Sequence, residues 1–258
     1  CHMAGMTYDF LTDSPVGEMY RQAHLMSDGS RSLQATIAEL ARLPLAFQPG
    51  SRWHYSVSID VLAHLIEVLS DMPVQEFLCT RFFEPLGMDN TDLVRSARIA
   101  SHLAIGYALG HDGAHPVPDR DWFTVGATNV YSTTRDMARF VAALLGGGAN
   151  EHGAILSPTT LATMFAPHYQ PDPRLTGMGL GFFRHDMAGH RVIGHDGIMP
   201  GFHSSLLVAP DDGIGLIALT NGSSGAMVWL PIELGRLLRH LLAVPDESVR
   251  TDISHHPE

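Results

Sequence analysis

The sequence predicts an α+β fold, with helices first and an antiparallel sheet closed by a helix after them. Three observations carry this. Between residues 33 and 166 apolar side chains recur at helical spacing behind recognisable caps. After about residue 176 short apolar runs alternate with turn residues. Finally, a leucine-rich amphipathic stretch runs from about 225 to 243. Helices followed by hairpin-connected strands is an α+β order.

Residues 1–30 are rich in Met, Asp and Gly and read as irregular. Ser32 caps a helix over 33–43 with Leu33, Ile37, Leu40 and Ala41 on one face, and the stretch Pro44 to Gly50 breaks it. A helix over 58–71 presents Ile59, Leu62, Ala63, Ile66 and Leu69 as its buried stripe, leaving Glu67 and Asp71 outside. Pro73 opens a helix over 73–84 with Phe77, Leu78 and Phe82 inward, ended by Pro85-Leu86-Gly87. Residues 107–131 read as loop with short extended pieces. Thr133 with Asp136 is a capping-box-like start for a helix over 134–145, terminated by three glycines at 146–148. Ser157-Pro158 starts a helix over 158–166. Strands follow at 179–185 and 190–195 around the turn Asp186 to Gly189. Two more, at 203–209 and 214–221, are joined by Pro210-Asp211-Asp212-Gly213. Neither face of the last two is polar, so the sheet is expected to be covered on both sides. The closing helix should turn Met227, Leu230, Leu234, Leu237, Leu238 and Leu241 to the sheet, with a frayed polar tail from Pro245. Residues 1–175 are thus expected to form a mainly helical lobe and 176–258 the C-terminal part of an α/β sheet lobe.

Composition narrows the function. The 258 residues carry 27 acids and 16 bases, a formal charge of −11, and every base is Arg. Without a basic stripe, a nucleic-acid partner is excluded. No apolar run reaches the ~20 residues of a membrane span. Cys1 and Cys79 allow one bridge at most, a usage that favours a reducing cytoplasm. The 16 histidines, among them His185, His190, His195 and His203, are spaced for neighbouring strands and not for one metal site, so no metal is expected. There is no G-x-S-x-G elbow, phosphate-binding glycine loop or H-E-x-x-H helix.

Two strings stand out: Pro49-Gly50-Ser51-Arg52-Trp53-His54-Tyr55-Ser56-Val57-Ser58-Ile59-Asp60, a turn feeding a helix, and Gly194-His195-Asp196-Gly197-Ile198-Met199-Pro200-Gly201-Phe202, at a strand end. Three more accompany them in order: His2-Met3-Ala4-Gly5-Met6-Thr7-Tyr8, Glu84-Pro85-Leu86-Gly87-Met88 and Tyr131 through Phe140. Together they resemble the serine β-lactamase-like superfamily, the class C β-lactamase and penicillin-binding-protein-like fold, and most of all the family VIII carboxylesterases. The resemblance runs from residue 1 to about 243. It implies an acyl-enzyme mechanism without a cofactor, acting on a small-molecule ester or β-lactam. Tyr55 matches the Tyr of the Y-x-N motif, and His195-Asp196-Gly197 matches an H-x-G variant of K-T-G. The S-x-x-K nucleophile motif is absent, and with no lysine no cryptic copy exists in the chain.

The resemblance assigns roles to these positions. Tyr55 acts as base only as phenolate, and a free phenol titrates near ~10, so half-ionisation at pH 7 needs a drop of about 3 units, roughly 4 kcal/mol. A cation within ~4–6 Å supplies such a drop, whereas burial works against it. Gly197 lets substrate approach the strand, and the N–H of Ile198 is one oxyanion donor. Asp196 belongs to the same substrate-facing strand end. Val57 replaces the motif's Asn and removes a hydrogen bond to an acyl-side amide, worth around 1 kcal/mol. Both that and His195 in place of a lysine favour ester over β-lactam hydrolysis. The sheet is expected to be incomplete without upstream residues, and the chain to be part of a longer polypeptide whose N-terminal segment supplies the Ser. Two alternatives stay open: a β-lactamase or D-Ala-D-Ala carboxypeptidase, and a non-catalytic binding protein on the same scaffold.

Overall fold

The computed structural model of the chain describes residues 1–11, 14–25, 31–118, 126–127, 130–223 and 225–245. The tail beyond Pro245 and parts of the segments expected to be irregular (26–30, 119–125 and 128–129) lie outside them.

The helices are α1 (Pro15–Gln22), α2 (Leu33–Leu40), α3 (Ser58–Ser70), α4 (Val74–Leu78, continued by a π turn, Cys79–Phe83), α5 (Thr134–Leu145), α6 (Pro158–Phe165) and α7 (Ala226–Leu241). Helix α1 corrects the irregular reading of the N-terminal region. Ser14 caps it by accepting from the Gly17 amide, and Pro15 occupies the first turn. Ser32, Thr133 and Ser157 cap α2, α5 and α6 in the same way.

Strands β1 (Tyr107–Gly110) and β2 (Gly113–Pro116) form a separate hairpin. The main sheet holds β3 (Gly177–Met178), β4 (Phe183–Met187), β5 (His190–Met199), β6 (Phe202–Ala209) and β7 (Ile214–Thr220) in that order, all antiparallel. Its first predicted strand, 179–185, begins later than expected, at Phe183. The β4–β5 turn is Ala188-Gly189, both at positive φ (54° and 93°), the twist a two-residue hairpin requires.

Both faces of the sheet are covered, as the apolar strands predict. Ile193, Leu206 and Val208 meet Val141 and Leu144 of α5 and Leu161 and Phe165 of α6 on one side. Val192 and Ala209 meet Leu238 and Leu242 on the other. Helices α3 and α7 bury narrower stripes than their periodicity predicts. Leu62 and Leu69 of α3 and Met227, Leu237 and Leu241 of α7 are exposed, while Ala63, Leu230, Leu234 and Leu238 are buried. Where apolar residues occur nearly all round a helix, spacing alone does not choose the buried side.

Two of the recognised strings hold each other. Leu86 and Met88 are buried with Ala143 of α5. The Arg139 guanidinium donates to the Gly87 carbonyl. Asp136 accepts from the Asn90 amide (2.7 Å) and the Thr91 hydroxyl (2.9 Å). Asp136 therefore completes only half of a capping box, giving its amide to Thr133 and its carboxylate to the neighbouring loop.

Candidate active site

Tyr55 is carried on an extended run that lies along the N-terminal segment. The His54 amide donates to the His2 carbonyl (2.9 Å) and the Gly50 amide to the Met3 carbonyl (2.8 Å). His54 reaches back to Thr7, with Nε2 2.8 Å from the Thr7 hydroxyl. Trp53 and Tyr55 meet a different set of rings.

The Tyr55 ring lies 4.3 Å from His2, 5.7 Å from Tyr8, 6.5 Å from Trp53 and 6.3 Å from His195, between ring centres. Phe183 of β4 closes the group, 5.4 Å from His195 and 6.1 Å from Trp53. Two residues 140 positions apart in sequence, Tyr55 and His195, thus share one aromatic wall. The alternation of β5 explains the His195 placement: it projects on the same face as Ile193, toward the helices, but two residues further along the strand.

The edge of β5 changes character at this point. Pairing with β4 stops at Phe183–Gly194, whereas pairing with β6 continues to Met199–Phe202. From His195 onward one backbone edge of β5 is unpaired by any strand among the described residues. His195 itself donates Nδ1–H to the Asp196 carbonyl at 2.7 Å, which leaves Nε2 free to accept when the ring is neutral.

Two expected site positions lie away from the aromatic wall. Val57 is buried with Tyr8, Tyr20, Leu25 and Leu40, where the chain turns inward as α3 begins. Asp196 alternates to the opposite face of β5 from His195, and its carboxylate accepts from Ser205 (2.6 Å). The Ile198 side chain alternates in the same sense and is exposed, so only its backbone stands on the β5 edge. Gly197 is constrained from within the sheet, since a Cβ there would lie 2.2 Å from the Ser204 hydroxyl.

Other groups of the site were not assigned from sequence. His2 is buried, accepts the Ser56 amide on Nδ1 (3.2 Å) and stacks on Tyr55. Burial, foremost, pushes its pKa down to about 4, so the ring is neutral at pH 7 with its proton on Nε2. Trp53 and Phe183 form the wall. Asp60, in the first turn of α3, is 3% exposed. Burial pushes its pKa up to about 6. Burial and then the Asp60 charge push the Tyr55 phenol upward, and among the described residues no cation offsets them. The signal for His2 and Asp60 lay in the recognised strings, each as one residue of a motif. Phe183 has no local signal, because only the register of β4 on β5 brings it to His195.

Comparison with known proteins decides the family. The Beta-lactamase family model matches residues 1–231. The chain belongs to the Beta-lactamase family. Among its relatives is Protein Rv1367c of Mycobacterium tuberculosis, 31% identical over 171 residues, 63% of this chain and 41% of that protein. Lovastatin esterase of Penicillium rubens is 27% identical over 183 residues, 66% of this chain and 43% of the esterase. The chain thus spans about two fifths of the length of these relatives. Among solved structures, D-amino acid amidase from Ochrobactrum anthropi SV3 superposes with a TM-score of 0.70 at 22% identity, over 95% of this chain and 71% of the amidase, which establishes the shared fold. Relatives in this superfamily are hydrolases with esterase, aminopeptidase and carboxypeptidase names. Among the described residues no helix is long and apolar enough to cross a membrane, and no cluster of His, Cys, Asp and Glu has metal-binding geometry.

Proposed function

We propose that this chain supplies one wall of the active site of a serine hydrolase that works through an acyl-enzyme, a carboxylesterase on short-chain esters. The observation that carries the proposal is the 6.3 Å approach of the Tyr55 and His195 rings, on two motifs that match the family's in order. The helical part up to residue 175 contributes Tyr55 and the sheet part from 176 contributes His195.

The nucleophilic Ser comes from an S-x-x-K segment outside residues 1–258. The same segment brings a cation to a phenol that its own surroundings hold protonated. Burial and Asp60 both oppose the phenolate, and a positive charge beside it favours that form. With it, Tyr55 accepts the Ser proton and later returns it to the leaving alcohol. His195, with Nε2 free, takes a hydrogen bond from the substrate or from Tyr55. The open β5 edge, with the Ile198 amide, is the oxyanion side.

Preference for esters is supported by His195 standing where a lysine would meet a β-lactam carboxylate. The aromatic wall of Trp53 and Phe183 suits an apolar acyl or alcohol group. The lovastatin esterase name points the same way. The test is turnover by the polypeptide encoded in the complete reading frame. Hydrolysis of p-nitrophenyl butyrate with labelling by a fluorophosphonate supports the proposal. Nitrocefin turnover exceeding ester turnover would move it to the β-lactamase reading. Folded protein that neither turns over nor labels would make it a binding protein.

A further inference from the structure

His2 holds the run that carries Tyr55 at three points. Its carbonyl accepts the His54 amide at 2.9 Å, on one side of Tyr55. Its ring Nδ1 accepts the Ser56 amide at 3.2 Å, on the other side. Between those two bonds its ring packs on the Tyr55 ring, 4.3 Å between centres and 37° between planes. The Trp53 ring meets the same imidazole edge-on, at 6.2 Å and 80°.

Amides two residues apart on an extended run point to the same edge, so His54 and Ser56 both present their N–H groups to the N-terminal segment. His2 answers the first with its backbone and the second with its side chain. Its own backbone is left-handed, at φ 56°, a conformation uncommon outside glycine. Both His2 (3% exposed) and Ser56 (0% exposed) are buried, so no water replaces Nδ1 as the acceptor of the Ser56 amide. A ring nitrogen that accepts carries no proton. The imidazole is therefore neutral with its proton on Nε2, the state that its burial also favours.

We infer that His2 is a positioning residue for Tyr55, a clamp whose carbonyl and Nδ1 fix the backbone on both sides of the tyrosine and whose ring face aims the phenol toward His195. Its catalytic consequence rests on the hydrolase proposal, but the clamp does not. With the flanking peptides fixed and one ring face covered, the phenol stays on the wall it shares with His195, 6.3 Å away. Loss of the Nδ1 acceptor frees the peptide after Tyr55, and the ring then samples directions that miss the reacting atoms.

The experiment uses the full-length polypeptide with 15N-labelled histidine rings, together with His2→Ala, His2→Phe and His2→Asn. Phe keeps a ring and loses the acceptor, whereas Asn places Oδ1 where Nδ1 stands and adopts left-handed backbone readily. In the unmutated protein at pH 7, the histidine whose ring protons show a nuclear Overhauser effect to Tyr55 should be neutral and protonated on Nε2. A charged ring, or one protonated on Nδ1, overturns the inference even where no variant folds. On p-nitrophenyl butyrate, His2→Ala and His2→Phe should lower kcat about 10–100-fold with KM within about 2-fold of the parent, because a misaimed phenol slows chemistry and leaves binding alone. His2→Asn should recover most of that loss. An unchanged kcat in folded His2→Ala, or no recovery in folded His2→Asn, overturns the inference. The expected tautomer in a protein that hydrolyses nothing upholds the clamp while the hydrolase proposal fails. Hydrolysis with unchanged kcat in His2→Ala does the reverse.

Discussion

Asp60→Asn should alter stability in a way whose sign and pH window follow from the burial of this carboxyl. In the unfolded chain Asp60 titrates at the ordinary 3.8, and in the native state at about 6. The native state therefore binds the proton more tightly, and the contribution of Asp60 to stability is fully present below 3.8 and lost as pH rises through about 6. A raised pKa of this size corresponds to a few kcal/mol. A substantial part of it, on the order of 1 kcal/mol, develops between pH 5 and pH 8, a range convenient for reversible denaturation. Asn keeps an acceptor for the Gly126 amide, which donates to Asp60, but carries no proton to lose. Urea unfolding of both proteins across that range, fitted as two-state, gives a difference in which the other titrating groups cancel. The variant should gain on the order of 1 kcal/mol relative to the parent on going from pH 5 to pH 8. A constant difference, or one of opposite slope, would refute the assignment of Asp60 as a carboxyl whose burial disfavours its charge.

Other substitutions have equally definite outcomes. Tyr55→Phe keeps the ring contacts with His2, Tyr8 and His195. It should therefore shift urea stability by less than about 1 kcal/mol while lowering kcat/KM of the full-length protein on p-nitrophenyl butyrate by about 10²–10⁴-fold. Gly194→Ala would bring a Cβ to 2.3 Å from the Leu206 carbonyl in the middle of the β5–β6 pair. A loss of about 1–3 kcal/mol in urea unfolding is expected. Asp136→Ala strips the acceptor from the Asn90 amide and Thr91 hydroxyl and the partner from Arg139. Thermal or urea unfolding should register a loss of about 3–5 kcal/mol.

Much of the fold was legible because its signals are local. Ser32, Thr133 and Ser157 announce their helices, and α5 begins and ends where the capping residues and the glycines require. The hairpin Pro210 to Gly213 and the turn Ala188-Gly189 fix the register of two strand pairs, β6–β7 and β4–β5. The same Ser-Pro signal stands at Ser14-Pro15, where a surrounding excess of Met, Asp and Gly obscured α1. The inward faces of α3 and α7 were less legible, since Leu62, Leu69, Met227, Leu237 and Leu241 have the spacing of core residues but remain exposed. In the candidate site, Tyr55 and His195 were readable through their motifs, as was their meeting. The orientations of Val57 and Asp196 were not legible, because a motif gives positions along the chain, not which side of a turn or strand each side chain takes. Asp60 carries no local signal of burial, since an acid in the first turn of a helix is ordinarily solvated. Its burial depends on Gly126, 66 residues away.

The rate of acyl transfer tests most directly whether Tyr55 and His195 flank one reaction centre. Full-length polypeptide is mixed with p-nitrophenyl butyrate, quenched in acid at short times and weighed intact, alongside Tyr55→Phe and His195→Ala. The parent should gain one butyryl group, and both variants should acquire it more slowly, Tyr55→Phe by at least about 100-fold. A folded parent that never acquires the group, or three proteins acylated at equal rates, would contradict a shared site at these two residues.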